Sequence, residues 1–161
     1  MTNTTPEACR KELNLKLRLE VSPRTLIHSS ALAYNDNATP DNTFTYAYAL
    51  SRSSVESDRR HGISLFSQLI ASNYPAALDC LYSQALAHYQ NNDYSAARAC
   101  AEAILRSSPD HAAARQVHLA AVAVVDKQER DVNIAVGTSA VVMGIGLVVG
   151  IATMLLTKKK K

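Results

Sequence analysis

The chain has 161 residues, of which 47% are hydrophobic and 19% are charged. Its formal charge is +3, but the last four residues, Lys158, Lys159, Lys160 and Lys161, are all basic. Without them the count is 13 basic against 14 acidic side chains, a net charge of −1. A domain so close to neutral gives no electrostatic reason to expect a nucleic-acid partner. The length suits one domain of about 130 residues with an extension.

Residue types that carry chemistry are present but not clustered. The three cysteines, Cys9, Cys80 and Cys100, are odd in number and widely spaced, so neither a disulfide framework nor a C-x-x-C metal clip is predicted. The five histidines are scattered, and the chain contains no P-loop, H-E-x-x-H motif or nucleophile elbow. We therefore expect no enzymatic activity, no metal and no cofactor.

The N-terminal arm, residues 1–21, is the hardest segment to interpret. Apolar residues occupy every second position near its end: Leu13, Leu15, Leu17, Leu19 and Val21. That period is typical of a half-buried strand, yet no other segment offers a strand partner. The open alternatives are a disordered or mobile arm, a helix of poor amphipathicity, and an arm that lies on another surface.

A helical domain is predicted over residues 22–130. Ser22 and Pro23 resemble a helix start, with the serine as cap and the proline in the first position. After the loop "NDNATPDN", two similar units follow, at about 43–76 and 78–111; Asp58 and Asp93 occupy matching positions 35 residues apart. This interval is close to the 34 residues of a tetratricopeptide repeat. A capping helix at about 110–130 would cover the open end of the stack.

The packing positions of the two repeats can be assigned from the pattern. Ala97 would be small because two helices cross there, and a larger side chain would push them apart. The residues assigned to repeat packing are Tyr46, Leu50, Gly62, Leu81, Ala85, Ala97 and Ala101. The predicted fold class is therefore all-α, a tetratricopeptide-like helical bundle followed by a single C-terminal transmembrane helix.

The C-terminal segment 132–157 contains no charged residue and is long enough to span a bilayer. Its glycines spell G-x-G-x-x-x-G, but a dinucleotide site would require a surrounding βαβ unit, which the sequence does not provide. Small residues four apart favour contact between membrane helices, and therefore a homo-oligomer; the alternative is that glycine is simply common in such helices. The residues in question are Ala140, Gly144, Gly146 and Gly150.

The basic tail, residues 158–161, is relevant to membrane topology and to targeting. The positive-inside rule, by which basic flanks of a membrane helix stay in the cytosol, would place these lysines in the cytosol. We prefer the opposite topology, because the start of the chain has no signal-sequence pattern and a tail anchor is inserted after synthesis. The domain would then face the reducing cytosol. An endoplasmic-reticulum protein with a di-lysine retrieval signal remains a remote alternative.

The order and spacing of several short motifs resemble the tail-anchored mitochondrial fission protein 1 family. The motifs are F-x-Y-A-x-x-L from Phe44, D-R-R-x-G-I from Asp58, D-C-L-Y from Asp79 and D-Y-S-x-A-R from Asp93. The resemblance covers about residues 41–161 and does not include the arm. It implies a six-helix bundle with two tetratricopeptide-like repeats on the cytosolic face of the mitochondrial outer membrane, and in many members on peroxisomes. It also implies a role in organelle fission, in which the protein helps to recruit a dynamin-related GTPase directly or through adaptor proteins.

A partner-binding groove is expected because the first helix of each repeat lines a concave surface in this class. The predicted groove residues are Phe44, Ala47, Ser51, Asp79, Tyr82, Leu86 and Tyr89. A helix or an extended peptide would suit such a groove, and the arm itself could occupy it in cis. The competing function is a tail-anchored co-chaperone or import receptor that clamps a peptide carboxylate, which would require lysines and arginines on these helices. They carry only Arg52, near one end.

Overall fold

The computed structural model describes residues 5–127 and residue 130. The chain divides into two compact units, Met1–Val125 and Asp126–Lys161, and the helical domain described below belongs to the first. The described residues form seven α-helices and no strand. The helices are α1 (Pro6–Leu19), α2 (Arg24–Asp36), α3 (Pro40–Ser51), α4 (Glu56–Ala71), α5 (Ala77–Gln90), α6 (Tyr94–Ser107) and α7, described over residues 112–127.

Local sequence explains where several helices begin and end. Thr5, Thr39 and Asp93 are N-caps whose side-chain oxygens accept hydrogen bonds from backbone N–H groups of the first turn. Asn73 and Asn92, in the turns after α4 and α5, adopt φ values of 58° and 61°. Asparagine tolerates this left-handed conformation better than most residues, so both turns can reverse the chain tightly.

Helices that are neighbours in the chain pack against each other from α2 to α6, and α3 also lies beside α5. This is the arrangement of two stacked helical hairpins, α3–α4 and α5–α6. At Gly62 a Cβ atom would lie 2.9 Å from the carbonyl oxygen of Ala47 and 3.0 Å from the backbone nitrogen of Ser51. The glycine is therefore what allows α4 to approach α3 so closely.

Each hairpin has its own apolar cluster. The first contains the buried residues Ala47, Leu50, Leu65, Phe66, Leu69 and Cys80. The second joins α5 and α6 to α1 and α7, with Cys9, Leu13, Leu17, Ala85, Leu86, Tyr89, Ala97, Ala101, Val117, Ala120 and Ala121. The second hairpin is thus completed by a helix from each side of it in the sequence.

The predicted repeat-packing residues lie mostly inside these clusters. Leu50, Ala85, Ala97 and Ala101 are buried, as is Gly62. Tyr46 is half-buried between the rings of Tyr34 and His61, at 5.2 Å and 5.7 Å between ring centroids. Leu81 is also half-buried and belongs to neither cluster core.

The described part of the arm forms a helix that packs on the domain, which the open alternatives for this segment included. Residues Pro6–Leu19 form a helix, so the described part of the arm is not disordered, and seven helices replace the six that the resemblance implied. The buried residues Cys9, Leu13 and Leu17 lie four apart on one face. The alternating leucines are thus divided between a buried side and an exposed side, with Leu15 and Leu19 in solvent. The helix α2 likewise begins one residue later than predicted, with Pro23 rather than Ser22 as its N-cap.

The first hairpin and α7 begin within three residues of their predicted starts. The hairpin α3–α4 begins at Pro40, three residues before the predicted first repeat, and α7 begins two residues after the predicted start of the capping helix. Within the described residues, no helix is both long and apolar enough to cross a membrane. The predicted span 132–157, its small residues Ala140, Gly144, Gly146 and Gly150, and Lys158–Lys161 lie outside the described residues.

Candidate partner-binding surface

The structure places the predicted groove residues in two environments. Phe44 and Tyr82 are half-buried and Asp79 is exposed, so these three reach the surface. The other four are buried within the domain: Ala47, Ser51, Leu86 and Tyr89, with 0%, 2%, 2% and 5% of their surface exposed. A partner could therefore not contact those four in this conformation.

On α3 the burial comes from the neighbouring hairpin helix. Ala47 and Ser51 lie at the close approach of α3 to Gly62, where their backbone atoms face α4. The Ser51 hydroxyl donates a hydrogen bond back to the carbonyl of Tyr48 at 2.8 Å. The crossing at Gly62 therefore turns both residues toward α4 in this conformation.

On α5 the two buried residues lie in the cluster that this helix shares with α1, α6 and α7. Leu86 and Tyr89 pack in the same cluster as Cys9, Leu13 and Leu17, and burial raises the pKa of the Tyr89 phenol. The face of α5 that would otherwise be open is thus covered by the chain's own first helix.

A polar contact adds to the apolar ones between α1 and α5. The Lys16 ammonium donates a hydrogen bond to the Tyr82 hydroxyl at 3.4 Å and lies 5.9 Å from the centroid of that ring. At such a distance the ring also attracts the cation through its quadrupole. Tyr82 is therefore engaged by α1 while its ring remains half-exposed.

The segment after α1 is attached to the end of α3. The Ser22 N–H donates to the Arg52 carbonyl oxygen at 2.9 Å, and the Arg52 guanidinium lies 3.5 Å from a Glu20 carboxylate oxygen. The same guanidinium stands 4.0 Å from the centroid of the Tyr48 ring. Arg52 thus holds the α1–α2 connection in place, and its charge is already used within the domain.

Aromatic side chains remain available on α3 and beside it. Phe44 lies 6.3 Å from Tyr48 and 5.6 Å from Tyr74 between ring centroids, and Tyr74 donates a hydrogen bond to Asp41 at 2.9 Å. Tyr48 is 39% exposed. We call Phe44, Tyr48 and Tyr74 the aromatic face. Rings with a polar tip are the side chains most enriched where proteins dock.

Sequence reasoning missed Tyr48 and Tyr74. Phe44, Tyr48 and Arg52 are spaced four apart, which is a helical stripe that the sequence does contain. Tyr74 follows α4 and reaches Phe44 only through the fold, so no local pattern could have placed it there.

Titratable side chains elsewhere serve structural contacts. Among the described residues no group of three histidine, cysteine or acidic side chains is placed to hold a metal. Burial raises the pKa of the Cys80 thiol to about 11, which leaves it in the unreactive protonated form. His118 contacts Glu102 at 3.2 Å, and Arg98 also donates to that carboxylate, at 2.7 Å. This carboxylate connects α6 to α7.

Comparison with known proteins identifies the family. The model of the Fis1 C-terminal tetratricopeptide repeat matches residues 78–127, which cover α6, α7 as described and all of α5 except its first residue. The mitochondrial fission 1 protein of Debaryomyces hansenii is 31% identical over 121 residues, which cover 75% of this chain and 76% of that protein. The chain belongs to the mitochondrial fission 1 protein family. The resemblance noted from the sequence motifs is thereby confirmed.

Other members of the family agree. The mitochondrial fission 1 protein of Neurospora crassa is 28% identical over 109 residues, or 68% of this chain and 63% of that one. The crystal structure of the fission protein Fis1 from Saccharomyces cerevisiae superposes with a TM-score of 0.55 at 18% identity, covering 78% of this chain and 94% of that chain. Yeast Fis1 in complex with an Mdv1 fragment gives 0.56 at 16% identity, with 80% and 98% covered. At these identities the two structures show a shared fold.

Proposed function

We propose that this protein is a membrane-anchored adaptor in mitochondrial fission. In this role the helical domain helps to recruit a dynamin-related GTPase, directly or through an adaptor protein. The observation that carries the proposal is the family membership, established over three quarters of the chain. The solved complex of a family member with an Mdv1 fragment, which contains coiled-coil domains, supports an adaptor of that kind as the first partner.

The docking surface in this proposal combines the aromatic face with the exposed start of α5. Phe44 and Tyr48 offer ring surface, while Asp79 and the half-exposed Tyr82 offer polar atoms on the neighbouring hairpin. A partner helix could place apolar side chains over the rings and a donor at Asp79. Arg52 is occupied by Tyr48 and Glu20, and Lys16 donates to Tyr82. Neither cation therefore favours the carboxylate clamp of a co-chaperone or import receptor.

The helix α1 would then limit the surface that a partner can use. It buries Leu86 and Tyr89, which lie on the predicted groove side of α5. A partner that needs the whole groove would have to displace α1, as the hypothesis of an arm bound in cis requires. The apparent affinity for that partner would be its intrinsic affinity multiplied by the fraction of molecules in which α1 is displaced.

The anchor in the proposal is the uncharged segment 132–157, followed by Lys158–Lys161. Its length, with glycine, serine, threonine and alanine diluting the leucine and valine, suits the mitochondrial outer membrane with the domain in the cytosol, and by extension the peroxisomal membrane. Association of the span through Ala140, Gly144, Gly146 and Gly150 would give a homo-oligomer.

The test is gene replacement in the organism of origin. Cells that lack the protein should have elongated mitochondria, and the full chain should restore division, whereas a chain ending at Val125 should not. Restoration by the truncated chain would contradict the need for an anchor. Normal mitochondria in the deletion strain would contradict the role in fission.

A further inference from the structure

The helix α1 carries a second, unpartnered apolar surface on the side away from the domain. The two most exposed large hydrophobic side chains among the described residues are Leu19 and Leu15, with 78% and 61% of their surface in solvent. They lie four residues apart on the side of the helix opposite Leu13, which is fully buried. Val21, 46% exposed, follows the end of the helix and borders a hollow that Leu17 and Tyr89 also line.

Two cations border these leucines. Lys11 and Arg18 are exposed, and among the described residues neither has a carboxylate within 4.0 Å, whereas Arg10 pairs with Glu7 and Lys16 with Glu20. We call Lys11, Leu15, Arg18 and Leu19 the outer face of α1. The exposed Glu12 lies three residues before Leu15, beside the leucines, and also borders the notch between α1 and α7.

We propose that the outer face of α1 lies on the surface of an anionic membrane. An interfacial helix places leucines at the boundary of headgroups and acyl chains, with lysine and arginine reaching the phosphates. The outer face has these residue types on one side of one helix. The inference rests on the proposed membrane anchorage.

The size of the outer face favours a membrane over a protein partner. Two leucines and a valine bury too little area to hold a separate protein in a stable complex. A membrane to which the protein is already anchored is present at high effective concentration, so contact with it requires much less buried area. The uncharged segment begins at residue 132, two residues beyond the last described residue, Arg130, so the proposed anchor would tie the domain to a bilayer.

The experiment uses the full chain, inserted through its tail into vesicles of phosphatidylcholine alone or mixed with phosphatidylserine. An environment-sensitive fluorophore is attached at Leu19→Cys in a Cys100→Ala background, because the remaining cysteines, Cys9 and Cys80, are buried. In the anionic vesicles its emission should shift to the blue and be quenched by a lipid-borne quencher. In the neutral vesicles both effects should be much smaller.

Variants test whether the two cations of the outer face contribute to docking of α1 on the vesicles. Lys11→Gln with Arg18→Gln should lower the ratio of docked to free α1 about thirtyfold, since each cation near an anionic surface adds to binding. The matched control, Arg24→Gln with Arg106→Gln, removes two exposed cations from α2 and α6 and should leave the signal unchanged. A second label at Leu32→Cys, on the exposed side of α2, should stay in water.

Three results would overturn the inference. A Leu19 label that remains in water on anionic vesicles would do so, and would leave a protein as the partner of this face. An equal shift at Leu32 would show contact that is not specific to α1. Flotation after an alkaline wash tests the anchor separately. A chain that is lost from the vesicles has no anchor, which overturns the proposed function and this inference together. A chain that floats with the vesicles but has an unshifted label overturns only the inference.

Discussion

At the scale of single residues, Gly62 decides how closely the first hairpin packs. Both atoms nearest to an added Cβ, the Ala47 carbonyl oxygen and the Ser51 nitrogen, belong to the backbone of α3 and cannot rotate away. Alanine is the better helix former by about 1 kcal/mol, but overpacking of this kind costs about 1–3 kcal/mol. Packing should therefore outweigh propensity.

We predict that Gly62→Ala lowers the free energy of unfolding by about 1 kcal/mol. Urea unfolding of the purified chain in detergent, followed by circular dichroism, measures the change. Ser64→Ala, at an exposed position on the same helix, is the control and should change the stability by less than about 0.5 kcal/mol. A stabilised Gly62→Ala protein would show that α3 and α4 can separate at little cost.

Tyr48 is the residue that best tests the aromatic face. Its ring is exposed and stacks on Arg52, so Tyr48→Ala should leave the fold intact and weaken partner recruitment about tenfold, as loss of an exposed aromatic anchor does. The measurement is the amount of fluorescent dynamin-related GTPase on mitochondria in cells expressing the variant. Leu32→Ala, which also truncates an exposed side chain, serves as control. Equal recruitment by both variants would place the docking surface elsewhere.

At the scale of elements, α1 explains most of what the sequence could not show. Leucines at every second position put apolar groups on two sides of a helix, so the sequence shows the strand period and no clean helical stripe. Which side is buried depends on α5 and α7, which lie far away in the sequence. The same dependence misled the groove assignment, since Leu86 and Tyr89 fit an open concave face until α1 covers them.

Displacing α1 should increase partner binding. Leu17→Asp puts a charge into the cluster with Leu86 and Tyr89 and should open the covered face, as should deletion of residues 1–21. Pull-down of the dynamin-related GTPase or its adaptor from cell extract by the full-length variants measures the effect. Asn14→Asp, at an exposed position of α1, controls for charge. Binding that is unchanged in both the Leu17→Asp and the deletion variant would argue against occupation of the groove in cis.

The contact between α6 and α7 should depend on pH. Hydrogen bonds from Arg98 and His118 hold the pKa of Glu102 below its ordinary value of 4.5. Because the folded-state pKa is depressed, the stabilisation is present above pH 4.5 and is lost as the pH falls through the lower, folded-state value. The stability difference between the native chain and Glu102→Gln, measured by urea unfolding, should therefore shrink on acidification below pH 4.5. A difference that grows would contradict this assignment.

At the scale of the whole molecule, the repeat architecture could be predicted and the surface only in part. The 35-residue interval, the small residues Gly62 and Ala97, and the turn at Asp93 are local signals, and they led to the two hairpins and to the family. The rotation of each helix about its axis is set by close contacts such as the one at Gly62. For that reason the sequence pattern alone could not show that Ala47 and Ser51 face α4.

The central claim is that this domain recruits the fission machinery to the membrane in which the domain is anchored. The most direct measurement is to replace residues 126–161 with an endoplasmic-reticulum anchor and to image a fluorescent dynamin-related GTPase in cells that lack the native protein. The account predicts that the GTPase appears on the endoplasmic reticulum, and that Tyr48→Ala in the same fusion reduces it. A GTPase that stays off the endoplasmic reticulum, although the fused domain is present there, would contradict the adaptor role.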